Sequence, residues 1–103
     1  PYVFGGYPAP TADGWARYQA YLKGQITELL SNYGRIDMIW FDGAWERAAD
    51  MWDTAGLEAL IRTLQPDILI NDRLPGHGDF ATPEQFVPAE APADPWETCL
   101  TMN

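Results

Sequence analysis

The chain has 103 residues, of which 47% are apolar and 20% charged, a composition typical of a folded domain rather than a disordered segment. Fifteen acidic and six basic residues give a net charge of −9 at pH 7, which disfavours nucleic-acid phosphates and anionic membrane surfaces as partners. The single cysteine, Cys99, excludes an internal disulfide, and no apolar run approaches the roughly 20 residues of a membrane span. Because the chain begins at Pro1 without a signal-like segment, we expect it to be a piece of a larger domain.

The first half of the sequence predicts a loop, a helix and a strand. Prolines and glycines in the first ten residues indicate an extended or looped approach. Apolar residues then recur every three or four positions, with Thr11 or Asp13 as the helix cap and Gly34 at its end. Residues 36–41 form a nearly continuous apolar run, which is typical of a strand buried on both faces in a parallel sheet. The stripe of the helix consists of Trp15, Tyr18, Leu22, Ile26, Leu29 and Tyr33.

The second half predicts a helix, a strand, a long loop and a final strand. The helix has Asp53 or Thr54 as its cap, and Glu58 and Arg62 can pair on its exposed side. Its apolar stripe consists of Leu57, Leu60, Ile61 and Leu64. The other segments are a charged loop (42–47), an apolar strand (67–70), a proline-rich loop (74–95) and a last strand (96–100).

Strands that alternate with helices imply crossover connections and a parallel sheet. The sequence therefore predicts an α/β fold in the order helix, strand, helix, strand, long loop, strand. In such sheets ligands bind beyond the carboxyl ends of the strands, and polar residues cluster there: Asp42 follows the first strand and residues 71–73 follow the second. Three strands cannot close a barrel, so we expect the rest of the fold to lie outside these residues.

Three carboxylates are candidate functional groups, and each has a structural alternative. Asp42 lies at the rim of a buried strand, although an aspartate before a glycine also commonly serves as a turn or cap residue. Glu84 lies in the proline-rich loop, where Thr82 could instead cap a helical turn. Glu97 lies in the last strand, where a carboxylate needs a cation such as Arg73 or an open cleft. The alternative for that arginine is a surface salt bridge of little energetic value.

The remaining reactive side chains do not form a metal or nucleophile motif. His77 is the only histidine, and its loop lacks the spacing of a metal site, so we expect it to be solvated. Cys99 lies in an apolar strand, where packing is the better interpretation. Three tryptophans, Trp40, Trp45 and Trp96, adjoin the charged candidates, and aromatic faces beside carboxylates suit the apolar C–H faces and hydroxyls of sugars.

Four blocks of the sequence resemble the α-L-fucosidases of glycoside hydrolase family 29. They occur in the family's order and are residues 33–43 (YGRIDMIWFDG), 70–73 (INDR), 78–84 (GDFATPE) and 96–99 (WETC). The family's catalytic domain is a (β/α)8 (TIM-like) barrel. The resemblance implies that residues 1–103 are a fragment of that domain, roughly from its third helix to its sixth strand.

The resemblance also implies a role for several residues. Asp42 matches the nucleophile of the family's Trp-Phe-Asp-Gly block, and Trp40 matches a residue of the pocket wall. Arg73 matches an arginine that contacts the sugar. Glu84 in the Thr-Pro-Glu block is the favoured general acid/base, and Glu97 in the Trp-Glu-Thr-Cys block is the competitor. We add Trp45 as a sugar-binding candidate because it adjoins the nucleophile block.

The implied reaction is the retaining hydrolysis of terminal α-L-fucose from oligosaccharides or glycoconjugates, with two carboxyl groups and no metal or organic cofactor. The family's histidine-rich strands, closing strands and C-terminal β-domain have no counterpart in this chain, so we expect turnover to require the rest of the barrel. Family members that are secreted or periplasmic exist, but no signal segment is present here. The alternatives are a non-catalytic carbohydrate-binding or structural segment of a barrel, and another barrel hydrolase with paired acids.

Overall fold

A computed structural model describes residues 10–76 and 78–102 of the chain. Its first element is helix α1, Ala12–Asn32, which begins at Thr11 because that hydroxyl accepts a hydrogen bond from the Gly14 amide. The helix ends at Asn32, and Gly34 just beyond its C-cap has a φ of 75°, in the left-handed region that glycine adopts easily. The predicted approach over the first ten residues lies outside the described residues except for Pro10, and so does His77.

The buried face of α1 differs by one position from the predicted stripe. Ile26 and Leu30 are its buried residues, whereas Leu29 and Tyr18 are exposed. The predictions that Tyr18, Leu29 and Tyr33 belong to the core stripe are therefore wrong. The reason is that α2 packs against the face of α1 that carries Ile26 and Leu30, both of which belong to the buried cluster.

Three further elements follow α1. Strand β1 is Met38–Ile39, helix α2 is Thr54–Leu64, and strand β2 is Leu69–Ile70. Two short 3₁₀ turns, Ala44–Glu46 and Ala49–Met51, lie between β1 and α2. The strands are parallel, with Met38 opposite Leu69 and Ile39 opposite Ile70, so the α/β order is the predicted one up to β2.

Both strands are shorter than predicted, and only one of their faces is buried. Ile39 and Ile70 face the helices, whereas Met38 and Leu69 on the opposite face are 44% and 40% exposed. The prediction of a strand buried on both faces is thus wrong for the described residues, because the described helices pack on one side of the pair only.

A single hydrophobic cluster joins the four elements. Leu57 and Ile61 of α2 are fully buried, and the C-cap of this helix, Gln65, donates through its side chain to the carbonyl of Leu30 at 2.8 Å. The predicted stripe of α2 and its Asp53 cap are confirmed, since that carboxylate accepts from the Gly56 amide. The buried cluster is Ile26, Leu30, Ile39, Leu57, Ile61, Ile68, Ile70 and Leu74.

The parallel pairing continues past β2 through isolated bridges. Asn71 pairs with Phe80, Ala81 with Trp96, and Glu84 with Cys99. Residues 80–84 therefore lie between β2 and residues 96–99, and the prediction that residues 74–95 are all loop is wrong. The predicted last strand is reduced to bridges because its neighbour contains Pro83, which has no amide hydrogen to donate to a ladder.

Among the described residues, neither helix has the length and apolar content that crossing a bilayer requires.

Candidate active site

Asp42 stands where the chain leaves β1 at its carboxyl end. The next residue, Gly43, has a φ of 84°, which turns the backbone sharply into the first 3₁₀ turn. Oδ1 of Asp42 accepts a hydrogen bond of 3.0 Å from the Gly43 amide, and the side chain is 60% exposed. Asp42 therefore has the turn role that the sequence left open, and the same oxygen, Oδ1, also contacts a cation.

That cation is Arg73, whose guanidinium contacts two carboxylates from different segments. Nη1 lies 3.5 Å from Oδ1 of Asp42, and Nη2 lies 3.1 Å from Oε2 of Glu84. The arginine side chain is only 17% exposed, whereas the Glu84 side chain is 56% exposed. One largely buried guanidinium therefore brings the end of β1 and the loop after β2 to a common point.

Arg73 is fixed in place by polar contacts from the neighbouring segment. Its Nε donates to the Thr82 hydroxyl at 2.7 Å, and its Nη2 donates to the Thr82 carbonyl at 3.0 Å. The carboxylate of Asp72 accepts in turn from the Thr82 hydroxyl at 2.5 Å and from the Thr82 amide at 3.3 Å. Thr82 is buried, so it orients the arginine and does not cap a helical turn that carries Glu84.

Trp40 and Glu97 complete the cluster on the other side of the guanidinium. The centre of the Arg73 guanidinium lies 4.8 Å from the Trp40 ring centroid, a cation–π arrangement. The indole Nε1 of Trp40 donates to Oε1 of Glu97 at 2.5 Å. Glu97 therefore meets the site through the tryptophan, whereas Glu84 meets it through the arginine.

Asn71 holds the backbone just before Asp42. Its side chain is fully buried, its Oδ1 accepts from the Phe41 amide at 2.8 Å, and its Nδ2 donates to the Phe41 carbonyl at 2.9 Å. The sequence placed this residue at the polar end of a strand but contained no signal for the pair of bonds, because a side chain that mimics a backbone partner has no periodic pattern.

The predicted sugar-binding residue Trp45 is exposed and lies in the first 3₁₀ turn. It borders a pocket of about 310 Å³ that Arg73 and Asp72 also line. Asp42 borders a second pocket, of about 410 Å³, which Trp15, Tyr18 and Trp52 line. Asp42 and Glu84 thus stand on an open rim in the described part of the chain.

Neither Cys99 nor a metal centre adds to this cluster. The free Cys99 is half-buried, and its backbone amide donates to the Pro83 carbonyl at 2.9 Å, which is a structural contact. Across residues 10–76 and 78–102, no group of three or more histidine, cysteine, aspartate or glutamate side chains could hold a metal ion. The arrangement instead holds two carboxylates, those of Asp42 and Glu84, against one fixed cation.

Comparisons with known proteins give one consistent family. A family model described as alpha-L-fucosidase matches residues 3–103. The tissue alpha-L-fucosidase of Mus musculus is 25% identical over 88 residues, which make up 77% of this chain and 19% of the mouse protein. The Homo sapiens tissue alpha-L-fucosidase is 26% identical over a stretch of the same length. The chain thus spans about a fifth of the length of these curated relatives.

Solved structures agree with the sequence comparison. Alpha-L-fucosidase isoenzyme 1 from Paenibacillus thiaminolyticus is 36% identical with a TM-score of 0.68, covering 95% of this chain and 26% of that one. The unliganded alpha-L-fucosidase of Lactobacillus casei is 30% identical with a TM-score of 0.53, covering 81% of this chain and 26% of that one. Both similarities therefore extend over most of this chain.

Proposed function

The chain belongs to the alpha-L-fucosidase family, and we propose that it is the middle section of the (β/α)8-like catalytic barrel of a retaining α-L-fucosidase. The proposed activity of the whole protein is the hydrolysis of terminal α-L-fucose from oligosaccharides or glycoconjugates. The observation that carries the proposal is the contact of one guanidinium, that of Arg73, with both Asp42 and Glu84.

The parallel geometry supports a larger barrel. β1, β2 and the bridged segments at residues 80–84 and 96–99 run in the same direction, as barrel strands do. Met38 and Leu69 leave an apolar face of the strand pair uncovered, which the interior of a barrel would bury. Asp42 and Arg73 follow the carboxyl ends of β1 and β2, and Glu84 is the last bridged residue of its segment, so all three lie at the face that carries active sites in such barrels.

We assign Asp42 as the nucleophile. Its carboxylate is exposed to a substrate, and the Gly43 amide and Arg73 Nη1 both stabilise its negative charge at Oδ1. In the first step the carboxylate attacks the anomeric carbon, and the bond from that carbon to the leaving-group oxygen breaks. The leaving oxygen takes the proton of the acid/base, so the first product departs as a neutral alcohol.

We assign Glu84 as the acid/base. After its proton has passed to the leaving group, Arg73 Nη2 at 3.1 Å stabilises the carboxylate that remains. Glu84 then removes a proton from water, the water oxygen bonds to the anomeric carbon, and the ester to Asp42 breaks. Glu97 is the weaker candidate, because its Oε1 is engaged by the Trp40 indole and so holds the aromatic wall of the site.

The test is Asp42→Ala in the full-length protein that contains this chain. We expect turnover of an aryl α-L-fucoside to fall on the order of 10⁴-fold or more, the scale on which loss of a covalent nucleophile acts. Added azide should restore part of the rate and yield β-L-fucosyl azide, because the small anion attacks from the vacated side.

Asp37→Ala is the matched control, because Asp37 is an exposed aspartate at the opposite end of β1 that pairs with Arg35. It should keep the wild-type rate. An Asp42→Ala protein that retains activity without azide would overturn the assignment, and the non-catalytic sugar-binding role of the segment would take its place.

A further inference from the structure

We propose that Asn71 is a positioning residue that sets the backbone from which the Asp42 carboxylate projects; this inference rests on the proposed function. Asn71 does not touch the reacting atoms in this proposal. It acts through Phe41, the residue directly before the nucleophile, by the two side-chain hydrogen bonds to the Phe41 amide and carbonyl.

The strand pair shows why such a device is needed. The ladder between β1 and β2 runs from the Leu69 amide to the Asp37 carbonyl and from the Asn71 amide to the Ile39 carbonyl. The next donor in a parallel ladder would be the amide of Arg73, paired with the carbonyl of Phe41. In this chain the Asn71 side chain takes that carbonyl instead, at 2.9 Å.

Because the Asn71 side chain donates to the Phe41 carbonyl, the chain after Asn71 does not have to continue the ladder. Residues 72–76 form turns and a bend in place of a continued strand, and the Arg73 guanidinium lies 3.5 Å from Oδ1 of Asp42. Phe41 nevertheless keeps partners for both of its backbone groups, so the backbone before Asp42 stays fixed beyond the end of β1. The Asn71 side chain therefore lets Arg73 leave the ladder while the backbone before Asp42 stays fixed.

The primary amide of Asn71 meets the chemical requirement of this position at any pH. The site needs one acceptor for the Phe41 amide and one donor for the Phe41 carbonyl, and Asn71 is 0% exposed, so water cannot replace either. An ionised aspartate would keep the acceptor but would place a second oxygen against the Phe41 carbonyl. A protonated aspartate would supply both functions again, since its hydroxyl donates.

The experiment compares Asn71→Asp with wild type in the full-length protein, using an aryl α-L-fucoside at saturating concentration. We expect kcat to fall by about 10²-fold at neutral pH, the scale on which a small displacement of a reacting group acts, while KM changes little. The ratio of mutant to wild-type kcat should rise as the pH is lowered, because the introduced carboxyl becomes a donor when it takes up a proton.

Asn32→Asp is the matched control, because Asn32 is exposed at the end of α1. For this variant the ratio of mutant to wild-type kcat should not depend on pH. If Asn71→Asp fails to fold, Asn71→Ser removes the amide without adding a buried charge. For that variant, hydrogen exchange of the Phe41 amide should accelerate about tenfold or more, while the Ile70 amide stays protected by its own bond to Asp79.

The outcomes separate this inference from the proposed function. Wild-type turnover of the fucoside tests the proposed function alone, and the exchange measurement requires no turnover. An Asn71→Asp kcat within twofold of wild type, or a loss that is the same at every pH, would overturn the positioning role. Unchanged exchange at Phe41 in Asn71→Ser would also overturn it.

Discussion

Residues 12–70 and residues 71–99 are held together by different interactions. The first region consists of α1, α2 and the strand pair, which share one apolar cluster. The second consists of isolated bridges and side-chain hydrogen bonds that converge on Arg73 and Thr82. The first region supplies the apolar platform with Asp42 at its rim, and the second brings Arg73 and Glu84 to that rim. We therefore expect substitutions in the apolar cluster to change stability, and substitutions of the charged groups at the rim, Asp42 included, to change catalysis.

The largest stability effect should come from Leu57→Ala in α2. Leu57 is fully buried in the shared cluster, so its truncation leaves a cavity and should cost about 2–5 kcal/mol of the free energy of unfolding. Denaturant unfolding of the full-length protein measures this loss. The kcat of the folded fraction should remain at the wild-type value, because no group on the rim has been removed.

Leu29→Ala is the control for this prediction, because Leu29 is an exposed leucine of α1 and its truncation should cost less than about 1 kcal/mol. If Leu57→Ala has the wild-type free energy of unfolding but a lowered kcat, the division between the two regions is contradicted.

A smaller effect should come from Asp53, the exposed cap of α2. The hydrogen bond from Lys23, at 2.9 Å, and the bond from the Gly56 amide lower the pKa of this carboxyl below its ordinary value of 3.8. A lowered pKa in the folded state means that the stabilisation is fully present above pH 3.8 and is lost as the pH falls through the folded-state value.

Asp53→Asn should therefore reduce the free energy of unfolding slightly at neutral pH and flatten its decline in acid. Denaturant unfolding between neutral pH and about pH 3 measures both, with Asp67→Asn, at an exposed aspartate before β2, as the control. Equal acid sensitivity of Asp53→Asn and wild type would show that the cap adds nothing to the pH dependence.

The same division explains how much the sequence predicted. The spacing of Leu57 and Ile61 predicted α2, because the buried residues of a helix that packs on one side recur every three to four positions. The predicted buried face of α1 included Leu29, which is exposed, because periodicity does not show how much of the helix surface its neighbours cover. The first two predicted strands are present as β1 and β2, but an apolar run does not show how long a strand is or whether one of its faces or both are covered.

For the rim, the sequence predicted which residues are candidates but not which of them contact one another. Polar groups at strand ends indicated Asp42 and Arg73, the positions of Glu84 and Glu97 made them further candidates, and the resemblance implied their roles. The orienting role of Thr82 was missed because its position before a proline and a glutamate is also typical of a helix cap. Which glutamate meets the arginine could not be predicted either, since it depends on the register of the bridges.

The most direct test of the account is the comparison of Glu84→Ala with Glu97→Ala in the full-length protein, with Glu90→Ala as the control at an exposed loop glutamate. Glu84→Ala should lower kcat/KM by about 10²–10⁴-fold for a fucoside whose leaving group needs a proton, but should nearly spare a dinitrophenyl fucoside. With azide it should form α-L-fucosyl azide. If Glu97→Ala shows this pattern and Glu84→Ala does not, the central pairing of Asp42 with Glu84 across Arg73 is contradicted.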